Sequence, residues 1–265
     1  MTDVGVGRFS GKVAIVTGSS ANPSIGRACA RRLAREGASV VINGRDPARL
    51  ASAEEALRAE GLVVSGVAGS AENDEATAAL VEHAVERFGA VDCVVSTVGG
   101  APHARPFDAI SEADMLDTFR LNTWPTVSLL RAALACGLAE RRGSAVTISS
   151  GSPRKTTSTM IAYAAAKAAL NAMTRTMAAD LAPRGVRVNG VCPGLVRTTA
   201  TRAAWEHDGG AAAGAALPTG RLTEADDVAA AVAFLLSDDA GQITGVTLDV
   251  DGGNHLRGGG WTPVT

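Results

Sequence analysis

The stretch Val13-Ala14-Ile15-Val16-Thr17-Gly18-Ser19-Ser20-Ala21-Asn22-Pro23-Ser24-Ile25-Gly26 decides the fold. It begins with an unbroken apolar run, the pattern of a strand buried on both faces and so of a parallel sheet. Small residues follow, and a helical stretch over 25–36 comes next. Gly18 permits a tight turn and Gly26 lets the helix approach the sheet closely. A helix that starts straight after such a turn presents unpaired N–H groups and the positive end of its dipole to an anion. Ser19, Ser20 and Ser24 add hydroxyl donors. This is the form of a pyrophosphate site, although small residues also cluster in ordinary strand-to-helix turns.

Outward from this unit the same rhythm repeats. Strands are predicted at 13–17, 39–43, 62–67, 93–96, 145–149, 187–191 and 247–250, and helices at 25–36, 47–60, 74–87, 112–136, 161–181 and 224–236. Asp74 and Thr223 stand where N-caps are expected. Strict β-α alternation with right-handed crossovers gives an α/β, doubly wound (Rossmann-type) seven-stranded parallel sheet with helices on both faces. No linker or repeat divides residues 1–265, so a single domain is expected. Residues 195–220, with the low-complexity run Ala211 to Ala216 beside Gly209 and Gly210, are predicted to be a mobile loop over the site.

Composition narrows the class. The chain has 265 residues, 46% hydrophobic and only 3% aromatic, so its core must be built from Ala, Val, Leu and Ile. A net charge of -2 without a basic run argues against a nucleic-acid partner. No apolar run reaches the ~18 residues a membrane span needs, and Met1 to Lys12 lacks the apolar core of a signal peptide. Cys29, Cys93, Cys136 and Cys192 show no metal spacing and read as buried free thiols. A cytoplasmic protein without a metal is expected.

Two further stretches point to chemistry. The second strand ends at Asn43-Gly44-Arg45. NAD sites place an acid near here for the ribose hydroxyls; Gly44 occupies that place and Arg45 follows it. A guanidinium matches a 2′-phosphate bidentately, so NADP(H) is preferred and NAD(H) possible. The simpler alternative is a solvated Arg beside Asp46. Tyr163-Ala164-Ala165-Ala166-Lys167 puts a phenol and an ammonium on one helix face. A nearby cation favours the phenolate, which allows proton transfer near neutral pH. Such spacing is common on solvated helices, but Tyr163 is the only tyrosine, and its helix follows a buried strand that ends at Ser149-Ser150.

With these residues in place the chain resembles the short-chain dehydrogenase/reductase family from about Lys12 to Gly253. Ser150, Tyr163 and Lys167 match the family's Ser-Tyr-Lys set, and Asn122 its fourth catalytic position. Val188-Asn189-Gly190-Val191-Cys192-Pro193-Gly194 with Thr198 resembles the stretch bordering the nicotinamide, and Leu248-Asp249-Val250-Asp251-Gly252-Gly253 the C-terminal signature. The resemblance implies hydride transfer between nicotinamide and a carbonyl or secondary alcohol. Tyr163 would be the general acid/base, Lys167 would lower its pKa and hold the nicotinamide ribose, Ser150 would orient the carbonyl, and Asn122 would support a water-linked proton relay. It also implies a cofactor lying over Gly18, Ser20, Ser24, Ile25, Gly26, Arg45, Ser70, Ala71, Val98, Gly99, Tyr163, Lys167, Pro193, Gly194, Val196 and Thr198.

The match breaks in places. The glycine loop carries two extra residues and has Ser24 for its middle glycine, which resembles bacterial enoyl-acyl-carrier-protein reductases. Those enzymes space tyrosine and lysine seven apart, and the residue seven after Tyr163 is Leu170. The usual Asn-Asn-Ala-Gly is Ser96-Thr97-Val98-Gly99, which removes an amide that braces the sheet, and the usual Asp near the adenine is Ser70. The expected activity is carbonyl reduction or alcohol oxidation, most similar to 3-oxoacyl-carrier-protein reductases. A nucleotide-binding relative without turnover and an enoyl reductase are the alternatives. Substrate walls are expected from 100–107, 152–160 and 195–217, with Lys155, Glu206 and Asp208 among their few charges, to suit a moderately apolar small molecule. Assembly into a homotetramer or homodimer is expected through the fourth and fifth helices and the last strand, with the tail around Trp261 against a neighbour.

Overall fold

Along the first strand the side chains divide cleanly. Ala14 and Val16 pack with Cys29, Leu33, Leu57 and Val228 on one side of the sheet, while Val13 and Ile15 pack with Leu80, Val81, Leu129 and Leu181 on the other. The continuous apolar runs are therefore strands covered on both faces. The computed structural model of the chain describes residues 7–154 and 157–257; Lys155 and Trp261 lie outside the described residues.

The order is β1 (Val13–Val16), α1 (Ile25–Arg35), β2 (Ser39–Gly44), α2 (Pro47–Ala59), β3 (Val64–Ala68), α3 (Asp74–Phe88), β4 (Cys93–Ser96), α4 (Glu112–Ala135), β5 (Ser144–Ile148), α5 (Ile161–Leu181), β6 (Arg187–Pro193), β7 (Val196–Arg197), α6 (Ala211–Ala215), β8 (Thr223–Glu224), α7 (Ala225–Leu236) and β9 (Thr247–Val250). Seven strands form one parallel sheet in the order β3-β2-β1-β4-β5-β6-β9. The direction of strand order reverses between β1 and β4, so the carboxyl ends of these two strands open a crevice. Helices α1, α2 and α7 contribute to one core and α3, α4 and α5 to the other.

All seven expected strands and all six long helices are present. Both expected caps are displaced by one residue. Asn73, not Asp74, caps α3 by accepting from the Ala76 N–H at 2.7 Å. Asp74 instead accepts from the Trp124 indole at 2.8 Å and the Ser128 hydroxyl at 2.7 Å, tying α3 to α4. Glu224, not Thr223, caps α7 in a capping box with Asp227. The low-complexity run is not featureless: Ala211–Ala215 is a short helix, with Gly214 close against the backbone at Arg221 and Leu222. A two-stranded sheet, Val196↔Thr223 and Arg197↔Glu224, closes the segment at its base. Two-residue strands carry no periodicity that a sequence reading detects.

The far end of the sheet is fastened by one side chain. Arg187, at the start of β6, donates to the carbonyls of Leu235, Leu236, Ser237 and Ile243 at 2.7–3.3 Å. It thus satisfies carbonyls at the end of α7 that have no helical partner. Hydrogen bonds to a charged group contribute about 1.5–3 kcal/mol. Arg187→Ala should lower unfolding stability by about 3 kcal/mol in denaturant titration. Arg187→Lys, lacking the planar fork, should recover only part of it.

Candidate active site

The crevice is lined from three directions. From β1 comes the glycine loop. Gly18 has φ +64, and a methyl placed on it would lie 2.5 Å from the Thr97 hydroxyl; one on Gly26 would lie 2.5 Å from the Gly18 carbonyl. Both positions therefore require glycine. Ser24 caps α1: its hydroxyl accepts from the Arg27 N–H at 3.1 Å and donates to the Ala21 carbonyl at 2.9 Å. Ser19 is buried and donates to the Val16 carbonyl at 2.9 Å. So Ser19 and Ser24 do not offer their protons to a ligand as expected; local backbone takes them. Among the described residues Ser20 keeps its hydroxyl without a partner, and the first amides of α1, at Ile25 and Gly26, face the crevice without helical acceptors.

The end of β2 stands beside Ser20. A methyl on Gly44 would lie 2.7 Å from Ser20 Cβ, so no acid fits at this position. Arg45 is exposed, and among the described residues it makes no hydrogen bond or ion pair. At the end of β3 the Ser70 hydroxyl accepts from the Glu72 N–H at 3.3 Å, and buried Ala71 follows. Ser70 borders a surface cavity of about 470 Å³ with Asp74, Arg120 and Trp124.

The second direction is β4. The amide missing from Ser96-Thr97-Val98-Gly99 is replaced by hydroxyls. Thr97 donates its hydroxyl to the Thr17 carbonyl at 2.6 Å, its N–H donates to the Thr17 hydroxyl at 3.2 Å, and Thr126 donates to Ser96 at 2.9 Å. The sheet is braced here by different atoms from those expected. Gly99 then meets α4 and α5: a methyl on it would lie 2.6 Å from Asn122 Oδ1 and 2.9 Å from Lys167 Nζ. Gly99, Asn122 and Lys167 thus converge on one point.

Asn122 is fully buried and fully engaged. Its Nδ2 donates to Gly100 O at 2.7 Å and Thr118 O at 2.8 Å, and its Oδ1 accepts from the Gly100 N–H at 3.0 Å. An amide has only two N–H protons. The side chain therefore positions the Gly99–Gly100 turn and has no proton left for a water relay.

The third direction is β5 with α5. Lys167 is buried and donates one ammonium proton to Ile148 O at 2.9 Å. Burial lowers its pKa from 10.5 to about 8, so it is still a cation at neutral pH. The half-buried Tyr163 is hydrogen-bonded to Ser150, and Lys167 Nζ lies 5.8 Å from its ring centroid. Burial pushes the phenol up, and the Ser150 hydrogen bond only partly opposes it. This corrects the expectation that Lys167 lowers the phenol's pKa: the ammonium is turned to Ile148, and desolvation dominates. The resting phenol is protonated.

Ser152, expected from the sequence only as part of the 152–160 substrate wall, supports Ser150. Its N–H donates to Ser150 Oγ at 3.1 Å, and the Ser150 hydroxyl donates to Ser152 Oγ at 3.0 Å. It fixes the Ser150 rotamer, a role no spacing rule would reveal.

Beyond β6, Pro193 is buried and Gly194 packs on Asp251, with a methyl on it 2.9 Å from Asp251 Cβ. Val196 and Thr198 are buried, the latter in a capping box with Thr201. Val98 is half-buried beside Gly18. Among the described residues no group of three or more His, Cys, Asp or Glu is placed to hold a metal, and no helix is long and apolar enough to cross a membrane.

A dinucleotide fits this crevice on structural grounds. The cradle is made of Gly18, Gly26 and Gly99, where a Cβ would fill the space, and open amides start α1. A buried ammonium with two protons to spare lies at the other end.

A family model described as enoyl-(acyl carrier protein) reductase matches residues 18–255. Dehydrogenase/reductase SDR family member 4 of Caenorhabditis elegans is 34% identical over 257 residues, covering 94% of this chain and 97% of the relative. The 3-oxoacyl-[acyl-carrier-protein] reductase of Haemophilus influenzae is 34% identical over 255 residues, 94% of this chain and 100% of its own. The solved structure of 7α-hydroxysteroid dehydrogenase complexed with NADH and 7-oxo glycochenodeoxycholic acid is similar with TM-score 0.85 and 30% identity, covering 93% of this chain and 95% of that one.

The buried ammonium carries a cost that can be measured. A pKa lowered from 10.5 to about 8 corresponds to about 3 kcal/mol against folding at neutral pH. Losing the bond to Ile148 O offsets about 1 kcal/mol of it. Lys167→Met should therefore raise stability at pH 7 by about 2 kcal/mol, or about 4–8 °C in Tm. Above pH 8 the unfolded lysine binds more protons than the folded one, so wild-type stability gains on the variant. The difference should vanish or reverse by about pH 10.5 in thermal melts run across this range.

Proposed function

The chain belongs to the short-chain dehydrogenase/reductase family of NAD(P)-dependent oxidoreductases acting on CH–OH and C=O groups, and within it we propose a carbonyl reductase, or secondary alcohol dehydrogenase, that prefers NADP(H) and uses Tyr163 as general acid/base. The observation that carries this reading is the convergence of Lys167, Asn122 and Gly99 beside the Ser150–Tyr163 hydrogen bond. When bound, the nicotinamide supplies or accepts the hydride. Tyr163, protonated at rest, donates to the carbonyl oxygen in the reductive direction. The Ser150 hydroxyl orients the same oxygen once its one proton turns from Ser152 Oγ to the substrate. Lys167 keeps its charge below pH ~8, and its two remaining protons suit ribose hydroxyls.

Exposed Arg45 beside the Ser20 hydroxyl, with an acid sterically excluded at Gly44, supports a 2′-phosphate and hence NADP(H). The segment 195–220 is read as the mobile wall of the substrate site, and its alanines and Leu217 suit a moderately apolar molecule. A homotetramer or homodimer is supported by an apolar groove of about 400 Å³ between α4 and α5, lined by Val127, Leu130, Leu134, Met173 and Met177. Three buried cysteines and one half-buried, none in a disulfide among the described residues, suit a reducing cytoplasm. The family model's description and the glycine loop favour enoyl reduction as a second reading; a four-residue tyrosine–lysine spacing speaks against it.

Purified protein with NADPH and a ketone panel tests the activity. Tyr163→Phe should reduce kcat by about 10²–10⁴-fold, with NADPH binding retained; equal NADPH oxidation by both proteins would overturn the mechanism. Arg45→Asp should shift the NADP/NAD ratio of kcat/KM about tenfold or more toward NAD. An unchanged ratio removes Arg45 from the cofactor site.

A further inference from the structure

The two extra residues of the glycine loop reach a distant segment. Pro23 carbonyl accepts the Thr199 N–H at 2.9 Å and the Thr199 hydroxyl at 3.1 Å, across 176 positions of sequence. Thr199 is the first residue of the 3₁₀ turn Thr199–Ala204, with which the 195–220 segment leaves β7. On its near side Pro23 adjoins Ser24, whose hydroxyl is bonded to Ala21 O and whose position caps α1. On its far side the turn is knit together: Trp205 donates its indole N–H to Thr198 O at 3.1 Å, Arg197 stacks on the Trp205 ring at 5.4 Å, and Arg197 pairs with Glu224 at 3.0 Å. A continuous set of contacts thus joins the amides that would meet the pyrophosphate to the root of the substrate wall.

We propose that the lengthened glycine loop is a latch, through Pro23 and Thr199, that makes the order of the substrate wall depend on occupancy of the dinucleotide site, with Thr199 as a positioning residue for substrate. The proposal rests on the cofactor and substrate-wall reading above. A ligand that fixes the glycine loop fixes Pro23, and Pro23 then holds the first turn of the wall. By linkage the wall's closure strengthens cofactor binding by the same factor.

Thr199→Pro is the informative variant. It removes both donors at once. Thr199 is the first residue of its turn, where proline is tolerated, and Thr198 already has an extended backbone at φ -140 and ψ 167, which suits a residue before proline. Thr199→Ser keeps both donors and is the control. Hydrogen exchange of the amides in 199–217 is read with and without NADPH, so that turnover is not needed. In wild type and Thr199→Ser, NADPH should slow exchange in this segment. In Thr199→Pro exchange should be faster without cofactor and NADPH should slow it little. In steady state with a ketone the wild type accepts, Thr199→Pro should raise KM about fivefold, with kcat within about twofold, as expected for two exposed hydrogen bonds. Equal NADPH protection in wild type and Thr199→Pro overturns the latch. If NADPH binds none of the proteins, the cofactor reading fails. The occupancy-dependent latch then falls with it, whereas NADPH binding with equal protection in wild type and Thr199→Pro overturns the latch alone.

Discussion

The contact on which the site depends is between the ends of two adjacent strands. Thr97 donates its hydroxyl to Thr17 O at 2.6 Å and its N–H to the Thr17 hydroxyl at 3.2 Å. This holds the end of β4 against the end of β1 just where the chain leaves them for helices on opposite faces. Gly18 lies so close to Thr97 that no Cβ fits, and Gly26 so close to Gly18 that none fits there either. The start of α1 is thereby placed at the crevice floor. From the other strand, the turn through Gly99 and Gly100 reaches Asn122, and the same point meets Lys167. Both halves of the site take their position from one pair of threonines.

What surrounds that contact is apolar and what lies in it is not. Two cores of aliphatic side chains sandwich the sheet, and their burial supplies the folding free energy. Against this the crevice sets Lys167, buried without a carboxylate beside it among the described residues. Such a group costs stability in the protein alone. It also leaves positive charge near the place where an anionic ligand would lie, so a phosphate-bearing cofactor relieves part of the cost on binding.

The fold was legible because its signal is physical and repeated. Seven apolar runs separated by amphipathic stretches admit few arrangements other than a doubly wound sheet. The candidate catalytic positions were read from spacing, since Tyr163 and Lys167 share a helix face and Ser150 follows a buried strand. Hydrogen-bond direction was not. Whether Ser19, Ser24 or Asn122 points its protons at a ligand or at backbone depends on a side-chain rotamer and a local carbonyl, and no residue pattern states either. The pKa of Tyr163 depends on burial as well as on a neighbouring charge, and only coordinates decide which is larger. The Ser150–Ser152 pairing and the Pro23–Thr199 contact were illegible because each depends on loops whose path the sequence does not specify.

The departures from the family pattern share a chemical theme. Where an asparagine pair and glycines are usual, this chain has hydroxyls: Ser96 with Thr126, Thr97 with Thr17, and Ser24 as the cap of α1. A hydroxyl both donates and accepts, so it can replace an amide brace only if its proton goes inward. The consequence is that these residues stiffen the crevice without decorating it, and the backbone amides of α1 are left to meet the phosphates. A loop held this way can also lengthen without losing its cap. Ser24 keeps α1 in place while the lengthened loop reaches Thr199 through the Pro23 carbonyl. The serine cap and the longer loop thus act together, the cap holding the helix start while the loop meets the first turn after β7.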